Sequence, residues 1–364
     1  MEPNSLGLCK LPEQTRVCVA MSGGVDSSAT VYLLKKQGYD VFGLTMDFLQ
    51  PPYAPAVSAI ADAATVAQKL GVKHEYIDMK GDFRRDVIDY FADSYLSGRT
   101  PSPCIICNKQ IKLGRLAEEA RKRGAEILVT GHYAEVKMTD TGAELYRGAD
   151  PVRDQSYFLF AISRETLQML RCPLAGYSKE QTRALAAEAG LEVAHKADSQ
   201  DICFVSSGKY AELISALRPD YKNIPGDIVT ISGEVLGRHK GLIHYTIGQR
   251  RGLGIGGRKG HDEREIWYVK ALDAVQNRVI VGSEEELFCT EVNICNLNWL
   301  GGERPPVLEC AVKLRSRQPL VPAIVEFEND NAVVRLQEKF SAAAPGQGCC
   351  FYVGNRVIGG GFIC

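Results

Sequence analysis

For roughly its first 200 residues the chain alternates short apolar runs with amphipathic stretches. Val17 to Met21 is a continuous apolar run, the pattern of a strand covered on both faces. A helical pattern from Ser28 to Gln37 closes at Gly38, a residue type suited to the left-handed position after a helix. Strand Val41 to Met46 follows, then an alanine-rich helix (Ala56 to Leu70) stopped by Gly71, a strand Lys73 to Ile77 and an amphipathic helix from about Asp82 to Tyr95. The next helix, Asn108 to Arg123, ends at Gly124, and strand Glu126 to Thr130 runs into Gly131-His132-Tyr133. Ser178-Lys179-Glu180-Gln181 is a capping box that starts a helix ending near Gly190. Repeated strand–helix units predict a doubly wound parallel sheet with its ligands at the C-terminal strand ends.

From about Pro225 the pattern changes to short β-rich runs separated by turns, such as EIWYVKALDAVQNRVIVG and FYVGNRVIGGGFI. That spacing predicts small antiparallel barrels or sandwiches. The expected division is an α/β domain over 1–219, a small β-rich domain over 220–285 and a C-terminal β-barrel over 286–364.

Composition narrows the class. The chain has 364 residues, 45% of them hydrophobic and 24% charged, as in an ordinary soluble protein of two or three domains. No apolar run approaches the roughly 20 residues of a membrane span. The first residues carry Glu2 and Glu13 and no apolar leader core, so a cytoplasmic location with no membrane association is expected. A net charge of −1 gives no bulk attraction for nucleic acid, so any such site must gather its basic residues on one face. Local clusters at Arg121 to Arg123, Arg238 to Lys240 and Arg250-Arg251 are compatible with phosphate contacts. Twelve cysteines in a reducing compartment point away from structural disulfides, toward buried thiols or chemistry.

Two stretches carry the chemistry. In Arg16 to Ser28, RVCVAMSGGVDSS, a strand meets two adjacent glycines and then a helix start. Glycines let the backbone approach a ligand, and the free N–H groups of a helix N-terminus suit a pyrophosphate. The stretch lacks the Gly-Lys-Ser/Thr of a Walker loop and the spacing of a dinucleotide fingerprint. It resembles the SGGxDS loop of the PP-loop ATP pyrophosphatases, which split ATP between the α and β phosphates and attach AMP to a substrate.

The second stretch, GRTPSPCIICN, holds Cys104 and Cys107. Asn108 reads as an N-cap, which would put the Cys107 thiol at a helix start and hold its pKa below the free value of about 8.5, with Lys109 and Lys112 adding positive charge. Cys203 stands in a distant polar loop. Half a zinc site, inert core thiols and a sulfur-chemistry pair of Cys107 with Cys203 are all open readings.

The ordered set AMSGGVDSS, GRTPSPCIICN, TGHYA, DQSYFLF, KADSQDICF, HYTIGQRRGLG, LRSRQ and PGQ is similar, nearly end to end, to that of the bacterial-type tRNA-specific 2-thiouridylases. The resemblance implies a PP-loop domain of the adenine-nucleotide α-hydrolase type. It implies ATP-dependent replacement of O2 by sulfur on the wobble uridine of tRNAs with Lys, Glu and Gln anticodons. Cys203 would carry a persulfide supplied by a sulfur carrier or cysteine desulfurase. Cys107 would complete transfer and leave a Cys107–Cys203 disulfide for a reductant to reopen. By motif position, ATP with Mg2+ would be bound by Ala20, Met21, Ser22, Gly23, Gly24, Val25, Asp26, Ser27, Met46 and Gly131. Ser102, Pro103 and Cys104 would touch the target base, and His132, Arg153, Asp154, Gln155, Arg315, Ser316 and Gln347 the tRNA. Some relatives carry an aspartate at the Cys104 position, a candidate general base whose role a thiol cannot take unchanged. The third thiol leaves an alternative: a [4Fe–4S] cluster on Cys104, Cys107 and Cys203. Rival functions are another PP-loop adenylating ligase and a non-catalytic RNA- or metal-binding module.

Overall fold

The architecture comes from a computed structural model, which describes residues 2–48, 57–196, 202–205, 210–255 and 266–364. Strands β1 (Arg16–Ala20), β2 (Asp40–Asp47), β3 (Lys73–Asp78) and β4 (Ile127–Val129) form a parallel sheet. After β4 comes an antiparallel hairpin, β5 (Ala134–Thr139) and β6 (Gly142–Arg147), and then the short β7 (Leu170–Arg171) completes the sheet in the order β3-β2-β1-β4-β7.

Alternate residues of the central strands face opposite layers, as the pleat requires. Cys18, Phe42, Leu44 and Leu128 pack under the helical runs 80–96 and 103–122. Val17, Val19, Met21, Val41, Ile127 and Val129 pack under helix α1 (Val25–Lys36) and the helices Val57–Lys69 and Lys179–Glu188. The chain leaves β1 toward β2 and returns on the other side as β4. The crevice at this switch point lies between the ends of β1 and β4, where a doubly wound sheet takes its ligand.

β8 (Gly226–Thr230), β9 (Val235–His239), β10 (Tyr268–Asp273) and β11 (Arg278–Gly282) make a separate four-stranded sheet in the order β10-β11-β8-β9. The remaining strands are β12 (Phe288–Trp299), β13 (Val307–Lys313), β14 (Val321–Glu328), β15 (Asn331–Ser341), β16 (Gly348–Val353) and β17 (Arg356–Ile363). They run antiparallel in the order β12-β15-β14-β13-β16-β17, and pairing of β12 with β17 closes them into a six-stranded barrel. This is the α/β-then-β architecture expected from the hydrophobic pattern. The β5–β6 hairpin is an addition to that pattern: it leaves the parallel sheet and pairs with β17, so the first domain extends the barrel's own sheet.

The two are also locked by polar contacts. Asp154 is buried and accepts from Arg147 Nε at 3.1 Å, from Lys313 Nζ of the barrel at 3.4 Å, and from the amides of Gly148 and Ser156 at 3.1 Å each. Asn298 of the barrel donates to the Phe160 and Ile162 carbonyls at 2.6 and 2.8 Å. Removing one partner of a buried charge cluster strands the others, at about 3–5 kcal/mol. Asp154→Ala is therefore expected to lower stability by an amount of that order, read as a fall in the thermal unfolding midpoint; an unchanged midpoint would show that this lock contributes nothing.

Candidate active site

The glycine loop leaves β1 at Ala20 and Met21. Met21 is buried and its carbonyl accepts from Thr45 Oγ1 at 2.9 Å, which ties the loop to β2; Met46 lies half-buried near the end of that strand. Gly23 has φ +70°, and a Cβ there would stand 2.4 Å from the Ala59 carbonyl oxygen, so only glycine fits. Ser27 Oγ folds back to accept from the Ser22 amide at 3.1 Å, fixing the turn. Gly24 is the N-cap of α1, and no side chain caps that end; Val25 is the first residue of the helix. The helix thus opens toward the crevice with backbone donors and its positive dipole end. On the other wall, a Cβ on Gly131 would meet Asp26 Cβ and the Ser27 nitrogen at 2.9 Å. The structure therefore brings the loop from Ala20 to Ser27 against Gly131, with Met46 near the end of the neighbouring strand β2.

Two groups, distant from it in sequence, converge on the Asp26 carboxylate. Lys179 Nζ donates to its two oxygens at 2.8 and 3.0 Å, and Tyr133 OH donates to Oδ1 at 2.8 Å while lying 3.0 Å from Thr182 Oγ1. Lys179 stood in the recognised capping box and Tyr133 in the recognised TGHYA, so both were visible as residues. Their convergence depends on the packing of the helix Lys179–Glu188 against α1, which no local pattern encodes.

The cysteine stretch differs from its expected form. The helix begins at Pro103, with Ser102 as its N-cap, and continues through a π-helical turn, Asn108–Arg115, of the kind often found at functional sites. Asn108 is not a cap: it is buried inside the helical run and donates to the Phe158 carbonyl at 3.2 Å. Cys107 therefore lies a full turn inside, buried in the apolar cluster with Ile105, Ile111 and Leu113. Burial pushes its thiol up to about 12, and the nearby Lys112 ammonium only partly offsets this. The expected low-pKa thiol is thus corrected, because loss of solvent outweighs the helix dipole at this depth.

Cys104 and Cys203 are exposed residues, whereas Cys107 is buried. The charges of Cys203 and Cys104 raise the Cys107 thiol further, and all three thiols face Lys112, which pulls Cys107 and Cys203 down. Cys203 is itself raised, first by burial of its sulfur. The rest of its loop, residues 197–201, lies outside the described residues. Among the described residues no group of three His, Cys, Asp or Glu side chains is arranged to hold a metal ion. With one thiol in the core and two at the surface, the donor set does not fit a cluster, and the [4Fe–4S] alternative is set aside.

The residues expected at tRNA are divided between surface and interior. His132 accepts or donates at Thr130 Oγ1 through Nδ1 at 2.9 Å; burial, with help from Lys112, lowers its pKa to about 3, so it is neutral in working conditions. Arg153 is half-buried, Gln155 accepts from the Tyr133 amide at 2.9 Å, and Asp154 is taken up in the lock already described. Arg315 is exposed and its guanidinium lies 5.3 Å from the Phe340 ring; Ser316 beside it is half-buried. Gln347 donates to the Thr100 and Pro101 carbonyls at 2.9 and 3.1 Å, while the Thr100 amide donates to Pro345 O at 2.8 Å. The barrel's PGQ turn therefore holds the segment that leads into Ser102, Pro103 and Cys104. A cavity of about 350 Å³ opens where the three domains meet, lined by Thr100, Thr246, Gly248, Arg315 and Gln347 among others.

A doubly wound parallel sheet with an uncapped SGGVDS loop and no Walker lysine defines a PP-loop ATP-utilising enzyme. Comparison sharpens the class. Residues 15–207 match the family profile described as the tRNA methyl transferase HUP domain, residues 216–283 its PRC-barrel domain, and residues 289–363 an aminomethyltransferase beta-barrel domain. The chain is 49% identical to the tRNA-specific 2-thiouridylase MnmA of Paramagnetospirillum magneticum, over 99% of this chain and 98% of that protein. It is also 49% identical to that of Rhodospirillum centenum, over 99% and 94%. The chain belongs to the tRNA-specific 2-thiouridylase family. Among solved structures, the U34-tRNA thiolase NcsA from Methanococcus maripaludis with its [4Fe-4S] cluster aligns at TM-score 0.38 and 15% identity over 60% of this chain and 70% of that one, too remote to bear on the chemistry.

The thiolate is the reactive form of cysteine, so the burial of Cys107 has a direct readout. Its alkylation rate in the folded protein should rise about tenfold per pH unit from 7 to 10 without levelling. Mass spectrometry of peptides after timed iodoacetamide exposure measures this; a plateau near pH 8 or 9 would contradict the buried placement.

Proposed function

We infer that the chain makes 2-thiouridine in tRNA at the expense of ATP, as a tRNA-uridine 2-sulfurtransferase. The observation that carries this reading is the joining of an uncapped PP-loop and a cluster of three thiols around Lys112 by one short segment. Gly131 abuts the start of α1, Tyr133 holds Asp26, and His132 between them faces Lys112.

The division of labour follows from the chemistry. A uracil C2 oxygen is a poor leaving group, and AMP is a good one. The glycine loop and the N–H groups of α1 bind the phosphates, with Ala20 to Ser27, Met46 and Gly131 forming the nucleotide site and Asp26 the residue suited to Mg2+, which would neutralise phosphate charge there. The C2 oxygen displaces pyrophosphate from the α-phosphorus. The outer sulfur of a Cys203 persulfide then attacks C2 and expels AMP. Cys107 attacks the Cys203 sulfur, the S–S bond to the base breaks, and its electron pair stays on the 2-thiouridine sulfur. A Cys107–Cys203 disulfide is left for an external thiol to reduce. The high pKa of Cys107 keeps it a thiol until a partner sulfur reaches it, so it does not compete for the persulfide's donor. Ser102, Pro103 and Cys104, at the start of the same helix where Cys104 is the exposed member, would receive the base, and Arg315, Ser316, Gln347, His132, Arg153 and Gln155 would border the tRNA. Asp154 serves through the barrel lock rather than by direct contact. The persulfide comes from a sulfur carrier or cysteine desulfurase, and the substrates are tRNAs with Lys, Glu and Gln anticodons. Among the described residues no helix is long and apolar enough to cross a membrane.

Another PP-loop ligase would not need two cysteines. Cys107→Ser and Cys203→Ser should each abolish 2-thiouridine, read by mass spectrometry of tRNA nucleosides, while each still binds ATP. Full product from Cys203→Ser would overturn the sulfur relay, and AMP formation on a carboxylate substrate would favour the ligase reading.

A further inference from the structure

We propose that Lys179 is a phosphate-binding residue of the nucleotide site, held by Asp26 until a phosphate group takes Asp26's place on it. The proposal rests on the ATP reading above and adds a residue to it.

The position of Lys179 is poorly explained by stability. It is the first residue of the helix Lys179–Glu188, where the macrodipole disfavours a cation. Its side chain is 8% exposed and pairs with a carboxylate that is 33% exposed. A buried ion pair contributes little compared with an apolar pair of the same volume. The pair is also oriented: the lysine stem is in the core and the carboxylate lies at the loop, in the first turn of α1. A carboxylate there repels a phosphate, and Lys179 on both of its oxygens cancels that charge. Tyr133, bonded to Asp26 and beside Thr182, fixes the arrangement. Once Asp26 is engaged elsewhere, as by a divalent cation, the ammonium could exchange its carboxylate partner for a pyrophosphate oxygen bound at the same loop. It is then placed to stabilise the charge that develops on the leaving pyrophosphate, a task that in Walker loops belongs to a lysine of the loop itself and for which SGGVDS supplies none.

The test is calorimetric titration of the full-length chain with magnesium-free pyrophosphate and, separately, with AMP. Asp26→Asn should bind pyrophosphate more tightly than wild type, because Lys179 is released and a repelling charge is gone. Adding Lys179→Met to Asp26→Asn, a pair of changes that leaves no stranded charge, should weaken pyrophosphate at least about tenfold relative to Asp26→Asn alone. AMP affinity should be equal in the two proteins. In the Asp26→Asn background, Lys179→Arg should restore most of the pyrophosphate affinity. Equal pyrophosphate affinity with and without Lys179, or parallel loss of AMP and pyrophosphate, would overturn the proposal. A wild-type protein that binds ATP, AMP and pyrophosphate not at all would instead overturn the ATP reading on which it rests.

Discussion

The burial of Cys107 is the constraint on which the rest of the site depends. Its thiol belongs to the same apolar cluster that packs the helical runs 80–96 and 103–122 against the sheet. Desolvation there disfavours the thiolate more than Lys112 favours it. A nucleophile kept protonated in the core is of little use against free solutes, and well suited to one partner delivered at close range. Cys104 and Cys203 are residues that reach the surface, although the Cys203 sulfur is itself partly desolvated. In the proposed relay, this difference in depth would separate loading of sulfur from its final release.

The same packing ties the cysteine helix to the glycine loop. The end of β4 runs straight into Gly131, His132 and Tyr133, three consecutive residues that serve different neighbours. Gly131 gives α1 room, His132 stands neutral beside Lys112, and Tyr133 reaches Asp26. A shift at one of them is felt in the other half of the site. The barrel adds a second constraint through Gln347 and Pro345, which hold Thr100 and Pro101 in front of the cysteine helix. The segment leading into Cys104 therefore rests on a platform built by two domains.

Much of this was legible in the chain. The glycine turn, the strand ends that carry Met46 and Gly131, and the switch to β-rich structure all follow from local pattern. What local pattern misjudged was depth. Asn108 has the side chain of a cap, yet Pro103 starts the helix a turn earlier, and tertiary packing then buries Asn108 and Cys107 together. The resemblance had placed Asp154 at the tRNA, but its side chain is buried against Lys313, which lies far along the chain in the barrel. The β5–β6 hairpin escaped for a related reason, since its role is set by pairing with β17. The meeting of Lys179 with Asp26 is likewise a product of helix packing.

The central claim is that the uridine oxygen is adenylated before sulfur attacks C2, and that it departs as part of AMP. The direct measurement is a single turnover with tRNA carrying 18O at C2 of the target uridine, followed by mass spectrometry of the AMP. One 18O atom in the AMP phosphate for each 2-thiouridine formed is the predicted result. Label in bulk water or in pyrophosphate, with unlabelled AMP, would contradict it.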